Sequence, residues 1–462
     1  MSIERLKEYL GALPPGAQAL LMREFERSIE RGDDPTIANF VLSELRKIVR
    51  APSEDLTART DDPMRLVFRP LERFLVDSVP SVRPGQIRRA SLGPIWIWLG
   101  NEGIPDKLRA FEDFCKSPSD SNTREQATRE VQAAAAEAIA QATGAGPSDS
   151  SARQRPMARF GSTSVSEDIV SVGAVLSVRD ALDTLNSKLP GQMRTFAESQ
   201  IKSVMGSMNI PALQTPQTLP FALSLVMPRL PAPWQIIRLG ISVAASDDEL
   251  RVAGTPFGVT VTMAIHDMAQ LVTALRSDLK RGHSQDLSNH LKALHDGMRG
   301  LRTELDIRTD SGWGRQLTAI RSEISNSLHS EIDSVPGKVR RLLRQGPDKE
   351  VTANSKVDPV DVEAVAALID FVAICRNYAG ELAINEASLR SYSELQQYVE
   401  TATQTLMESL RAPDPKIRAY RLMQMQAAIR FCDVMFGPDY ASLMRRAADM
   451  VKPVEKKEAK AG

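Results

Sequence analysis

Aromatic residues make up only 5% of this 462-residue chain, and histidine occurs just five times. Strands favour aromatic and β-branched residues, so the shortage weighs against a β-rich fold. The three cysteines, Cys115, Cys375 and Cys432, lie far apart. An odd number without paired spacing argues against a disulfide framework or a zinc site, and they read as buried thiols of a reducing compartment. No run approaches the ~18 apolar residues of a membrane span. Met1-Ser2-Ile3-Glu4-Arg5-Leu6 carries charge where a signal peptide needs an apolar stretch, so a cytoplasmic protein is expected. Lys plus Arg and Asp plus Glu both number 58. With a net charge of zero, no whole-chain field draws the protein to nucleic acid or to an anionic surface.

Catalytic signatures are missing as well. No Gly-x-Ser-x-Gly turn exposes a nucleophile, and no glycine-rich loop precedes a Lys-Ser or Lys-Thr. Gly337-Lys338 lacks the upstream glycine that a phosphate loop needs. Asp33-Asp34 and Asp247-Asp248 read as turn and capping residues. His283, Asp286 and His290 share one helix face by spacing, but that face is polar, and a solvated flank is the simpler reading. No residue is therefore assigned a catalytic, cofactor-binding or metal-binding role, and no cofactor is expected.

What is abundant is Ala, Leu, Arg, Glu and Met, the residues that lose least side-chain entropy in a helix. The expected fold class is all-α: multi-helix bundles with a long, coiled-coil-like antiparallel helical hairpin. Three short amphipathic helices open the chain, carrying Ile3, Leu6 and Leu10, then Leu20, Leu21, Phe25 and Ile29, then Ile37, Phe40, Val41, Leu45 and Ile48. Asp34-Pro35 caps the third. A fourth stretch at Leu66, Leu71, Phe74 and Leu75 is bent or interrupted by Pro70. Thr123 to Ala142 is rich in alanine with only Val131 and Ile139 as bulky apolar residues, giving a helix of strong propensity and a thin sticky stripe.

Gly144-Ala145-Gly146-Pro147 and the serines after it form the best linker, so an N-terminal helical domain is expected over 1–144 and a flexible linker over 145–163. A middle helical unit follows over 164–257. It opens on one helix from about Ser166 to Leu189, after which closely spaced prolines cut the chain into short pieces. Ile237, Leu239, Ile241 and Val243 alternate with polar or small residues, a strand-like period of two, but Pro233 and Thr255-Pro256 look like helix starts and helix is favoured.

The hairpin is expected over 258–346. Leu287, Leu291, Leu294, Met298, Leu301 and Leu305 step by four and three, the spacing that keeps a seam facing another helix. Leu317 to Val339 forms a second stripe beyond the turn around Gly312, with Pro336-Gly337 interrupting its end. A C-terminal helical bundle is expected over 357–452, with Gly380 and Gly437-Pro438 among its turns, and a disordered charged tail over 453–462.

Two further features are candidate sites. Trp96 and Trp98 sit in the densest aromatic patch, either wedged in a core or lining a partner groove. Lys338, Arg340, Arg341 and Arg344 form the strongest basic cluster, explained either by the dipole at a helix C-terminus or by phosphate binding. Arg88-Arg89-Ala90-Ser91 has the form of a basophilic kinase site.

The stretches Arg89-Ala90-Ser91-Leu92-Gly93-Pro94-Ile95-Trp96, Leu219-Pro220-Phe221, Pro233-Trp234-Gln235-Ile236 and Gly254-Thr255-Pro256-Phe257 resemble a family of all-helical bacterial proteins with no assigned activity. The resemblance covers residues 85 to 315 in patches and implies a helical fold, with no activity, cofactor or site residue.

The expected function is a non-enzymatic helical scaffold or regulatory adaptor that binds a protein partner, or itself, through amphipathic helices. Its candidate contacts are Trp96, Trp98 and the Leu287–Leu305 seam. The alternatives are an enzyme with a cavity in a helical bundle, and local nucleic-acid binding through residues 338–344.

Overall fold

The computed structural model describes residues 62–77, 81–117, 120–144, 162–281, 284–344, 351–352, 355–411 and 414–451. The three helices expected before residue 62, most of the 145–163 linker and the charged tail lie outside the described residues. Those that are described form an all-α protein in two compact units, one holding residues 62–70 and 94–144, the other 71–93 and 162–451. Among them, no helix is long and apolar enough to cross a membrane.

In the first unit, Asp62 caps α1 (Pro63–Phe68) by accepting from the Met64 amide, and proline at the first turn supplies the helical φ. Leu92–Trp98 forms α2, in which Ile95 and Trp98 are buried and Ile97 faces out. Pro105 starts α3 (Pro105–Cys115), and Asp120 caps α4 (Ser121–Thr143). Both α1 and α3 pack on α4. The alanines of α4 let neighbouring backbones come close: Ala135 is wholly buried, and buried Gln132 donates to the Val67 carbonyl at 2.9 Å, satisfying a free acceptor at the end of α1.

The second unit opens with two short parallel strands, β1 (Leu75–Val76) and β2 (Ile87–Arg88), which the periodicity did not announce. The single helix expected from 166 to 189 is two, α5 (Thr163–Ser177) and α6 (Arg179–Lys188), divided where Val178 leaves helical geometry at ψ 18°. Next come α7 (Glu198–Met208), α8 (Leu219–Val226), α9 (Ile237–Ala244) and α10 (Glu249–Ala253). The period-two stretch at 237–243 thus folds as helix. All eight residues of α8 are buried, as an apolar segment bounded by prolines requires.

Seven longer elements complete the unit: α11 (Val259–Arg281), α12 (Ser284–Glu304), α13 (Gly312–Leu343), α14 (Pro359–Leu382), α15 (Asn385–Ser409), α16 (Pro415–Phe436) and α17 (Pro438–Asp449). Their packing forms two successive rings of four helices that share an edge. The first runs α11–α12–α14–α13, and the second runs α13–α14–α16–α15, with α17 laid on α16. The pairing expected of a closed hairpin, α12 against α13, is not a principal contact. The α12 seam closes on α11 and α14, and α13 on α11, α14 and α15. An apolar stripe needs only a complementary stripe, and α14, buried around much of its girth, supplies one to both.

Residues 164–257, 258–346 and 357–452, expected as separate units, belong to one. Two expected breaks are also absent. Pro336 lies inside α13, which continues to Leu343 because Val335, Val339 and Leu343 are all buried and hold the last turns in place. Gly380 lies inside α14, and the turn falls at Ala383, which adopts φ +57°.

Candidate interaction surfaces

The leucine seam proposed for a partner is occupied by the chain itself. Leu291, Leu294 and Leu301 are completely buried, and Leu287, Met298 and Leu305 are at most 6% exposed. Burial of each side chain contributes about 1.5–3 kcal/mol to the fold, and a partner would have to displace α11 or α14 to reach them. Of the tryptophans, Trp98 is buried in the first unit, and half-buried Trp96 meets Phe68 edge to face with centroids 5.8 Å apart. Both work as core residues, and Ile97 between them is the exposed member.

The basic cluster is partly neutralised within the chain. Arg340 pairs with Glu394 of α15 and lies 5.7 Å from the centre of the Tyr398 ring, and Lys338 reaches Glu331 at 3.9 Å. Arg341 and Arg344 are exposed, with no carboxylate partner among the described residues. The end of α13 is capped from α16: Gln424 donates to the carbonyls of Leu342 and Arg344.

Ser91 of the basophilic motif is only 2% exposed and donates to Asp168 of α5 at 2.6 Å. Arg88 donates to the other oxygen of that carboxylate at 3.2 Å. Ser91 is thus held in a charge-assisted junction with α5 and, being buried, is out of reach of any enzyme in the folded chain. His290 lies 3.1 Å from Asp278 on α11. His283 and the side chain of Asp286 lie outside the described residues, and among those described no three His, Cys, Asp or Glu side chains converge as metal ligands.

A second buried charge junction lies where segment 81–86 crosses α8 and α11. Gly85 adopts φ +82°, and a Cβ there would fall 2.3 Å from the Pro220 carbonyl, so only glycine permits the approach. Arg83 is buried beside Met227, with Asp267 of α11 as its nearest compensating charge. Burial lowers the arginine's pKa and raises that of Asp267, each shift opposed by the other's charge. Gln86 links both sides, accepting from the Arg83 amide and from Gln270.

Among the described residues, open grooves include three of differing chemistry. One of about 640 Å³ between α11 and α13 is lined by small polar residues, with Arg276 and Glu323 already paired across it at 2.7 Å. One of about 420 Å³ beside α7 and α9 has Arg238 and Glu304, also paired to each other, in its wall.

The third, of about 560 Å³, runs between α3 and α4 of the first unit and differs in chemistry. Its floor is apolar, made by Phe111 and Phe114 of α3 and by Ala127, Val131 and Ala134 of α4. Its rim is charged: Lys107 on one side, and exposed Glu130 and Glu137 on the other. None of these three has an oppositely charged partner among the described residues; Glu130 and Glu137 accept only from Gln126 and Gln141. Seven residues apart, the two glutamates stand one above the other, about 10 Å along the helix. The thin stripe read in α4 is what keeps this floor open, since alanines line it where larger residues would fill it. Phe111 and Phe114 are marked in the sequence only by their spacing of three behind Pro105.

No family model, curated protein or solved structure matches the chain. The resemblance in residues 85–315 therefore assigns no family.

Proposed function

We propose that the protein is a non-enzymatic helical scaffold or regulatory adaptor, and that the α3–α4 groove of its first unit receives an amphipathic helix from a protein partner. The observation that carries this reading is the contrast along one groove: apolar floor, charged rim, and no oppositely charged partner for the rim charges among the described residues. Helix-in-groove recognition uses this chemistry, with apolar anchors one turn apart seated in the floor and flanking charges setting orientation. Glu130 and Glu137 favour a helix with Lys or Arg beside its apolar face, and Lys107 favours an acidic residue on the other side. The leucine seam is excluded as the contact by its own burial.

The test compares proteins crosslinked to the full chain, to Ala133→Arg and Glu130→Lys variants, and to a Lys292→Glu control on α12. The expected partner segment is an amphipathic helix with a basic flank, retained by the control and bound at least tenfold more weakly by the groove variants. Crosslinks unaffected by Ala133→Arg, or mapped to a segment without an apolar face, overturn the reading.

A further inference from the structure

Asp62, the N-cap of α1, is the first described residue, and α1 packs against both α3 and α4, the helices that line the groove. Upstream of it, residues 34–50 have the chemistry the groove selects. Ile37, Val41, Leu45 and Ile48 recur at helical spacing behind Asp34-Pro35, and Arg46, Lys47 and Arg50 gather at the far end. We infer that this segment is an intramolecular occupant of the α3–α4 groove, so that a partner helix enters by displacing it. The inference rests on the groove reading above and adds its regulation.

Reach and concentration support it. Eleven residues, 51–61, connect the segment to Asp62 and span up to roughly 36 Å when extended. The 23-residue helix α4 is itself only about 35 Å long, so every part of the groove lies within range. A tether of this length holds its end at an effective concentration on the order of millimolar. A free helix of equal intrinsic affinity is then excluded until it reaches that concentration. A helix of about 17 residues is marginal by itself in water and gains most by laying its apolar stripe on a ready surface. Charge selects the same pairing, because Arg46, Lys47 and Arg50 complement Glu130 and Glu137.

The test uses the full chain and a full-length variant carrying Ile37→Asp, Val41→Asp and Leu45→Asp, with a labelled synthetic peptide of residues 34–50 as probe. Hydrogen exchange of the α3 and α4 groove amides is expected to be at least tenfold faster in the variant. The peptide is expected to bind the variant at least tenfold more tightly than it binds the unaltered chain, and Ala133→Arg in the variant background is expected to abolish binding. Equal exchange and equal peptide binding in both proteins overturn self-occupation and leave partner docking intact. A variant that ignores the peptide yet still binds the crosslinked partner helix also overturns it. If Ala133→Arg changes neither peptide nor partner binding, the groove reading itself fails.

Discussion

Trp234 packs its indole flat against the bare backbone of α12 at Gly300, where a Cβ would fall 2.6 Å from three carbons of the six-membered ring. The Arg238 guanidinium lies 5.6 Å from the same ring and pairs with Glu304 one turn further along α12. The tryptophan thus joins the segment before α9 to a helix more than sixty residues away. Gly300→Ala is expected to destabilise the protein by about 1–3 kcal/mol through overpacking, measured by urea denaturation. Gly337→Ala, inside α13 with open space around it, is expected to be neutral or to stabilise by up to about 1 kcal/mol. Equal effects at the two positions would refute the packing account.

Buried Asp168 holds buried Ser91 and part-exposed Arg88 through hydrogen bonds to opposite oxygens. Asp168→Ala removes the acceptor of a buried hydroxyl while Arg88 keeps its Glu167 pair, and is expected to cost about 1–3 kcal/mol, whereas loss of the exposed Lys202–Glu198 pair is expected to leave stability unchanged within error. A basophilic kinase is expected to phosphorylate Ser91 in a peptide of residues 85–95 and not in the folded chain. Stoichiometric modification of the native protein would contradict the burial.

The Arg83 junction has a definite pH signature. Burial raises the folded-state pKa of Asp267 against the pull of Arg83, so the carboxyl contributes stability below its unfolded value, about 3.9, and loses it as pH rises through the folded value. Asp267→Asn removes that loss. The stability of the variant relative to the parent is therefore expected to improve from pH 3 to neutrality. His266 has the opposite sense: burial first and Arg83 second lower its pKa, so its contribution is lost on acidification below about 6.5. Folding free energies of Asp267→Asn and His266→Gln across pH 3–8 separate the two groups, and parallel curves for Asp267→Asn and the parent would count against the assignment.

Arg340 and Glu394 tie α13 to α15 at an exposed site. A double-mutant cycle is expected to return a coupling of about 0.2–1 kcal/mol that fades in high salt. For polyanion binding, Arg341→Glu is expected to weaken heparin retention more than Arg340→Glu, because Arg340 is already neutralised by Glu394. The reverse order would contradict the neutralisation of Arg340 by Glu394.

Helicity was legible because Leu287, Leu291, Leu294, Met298, Leu301 and Leu305 keep one face through five turns, and all six are buried. What they face was not legible, since an apolar stripe specifies a complementary surface and carries no address. Hence α12 could be read as half of a hairpin with α13, when its neighbours are α11 and α14. Pro336 and Gly380 misled because local propensity marks them as breaks, while burial on both sides carries each helix through. Gly300 gave no sign at all: inside a helix pattern a glycine reads as weakness, and its purpose appears only once Trp234 is placed against it. The groove was half visible in the alanines of α4 and hidden in α3, where only two phenylalanines mark it.

A closed seam and an open groove give different crosslinks, and one measurement compares them directly. A photoreactive methionine analogue at Met298 and a photoreactive residue at Ala133 are introduced singly into the full chain, irradiated, and mapped by mass spectrometry. From position 298 only adducts to α11 or α14 of the same chain are expected, and from position 133 adducts to an amphipathic helical segment. An intermolecular adduct from 298, with none from 133, would contradict the account.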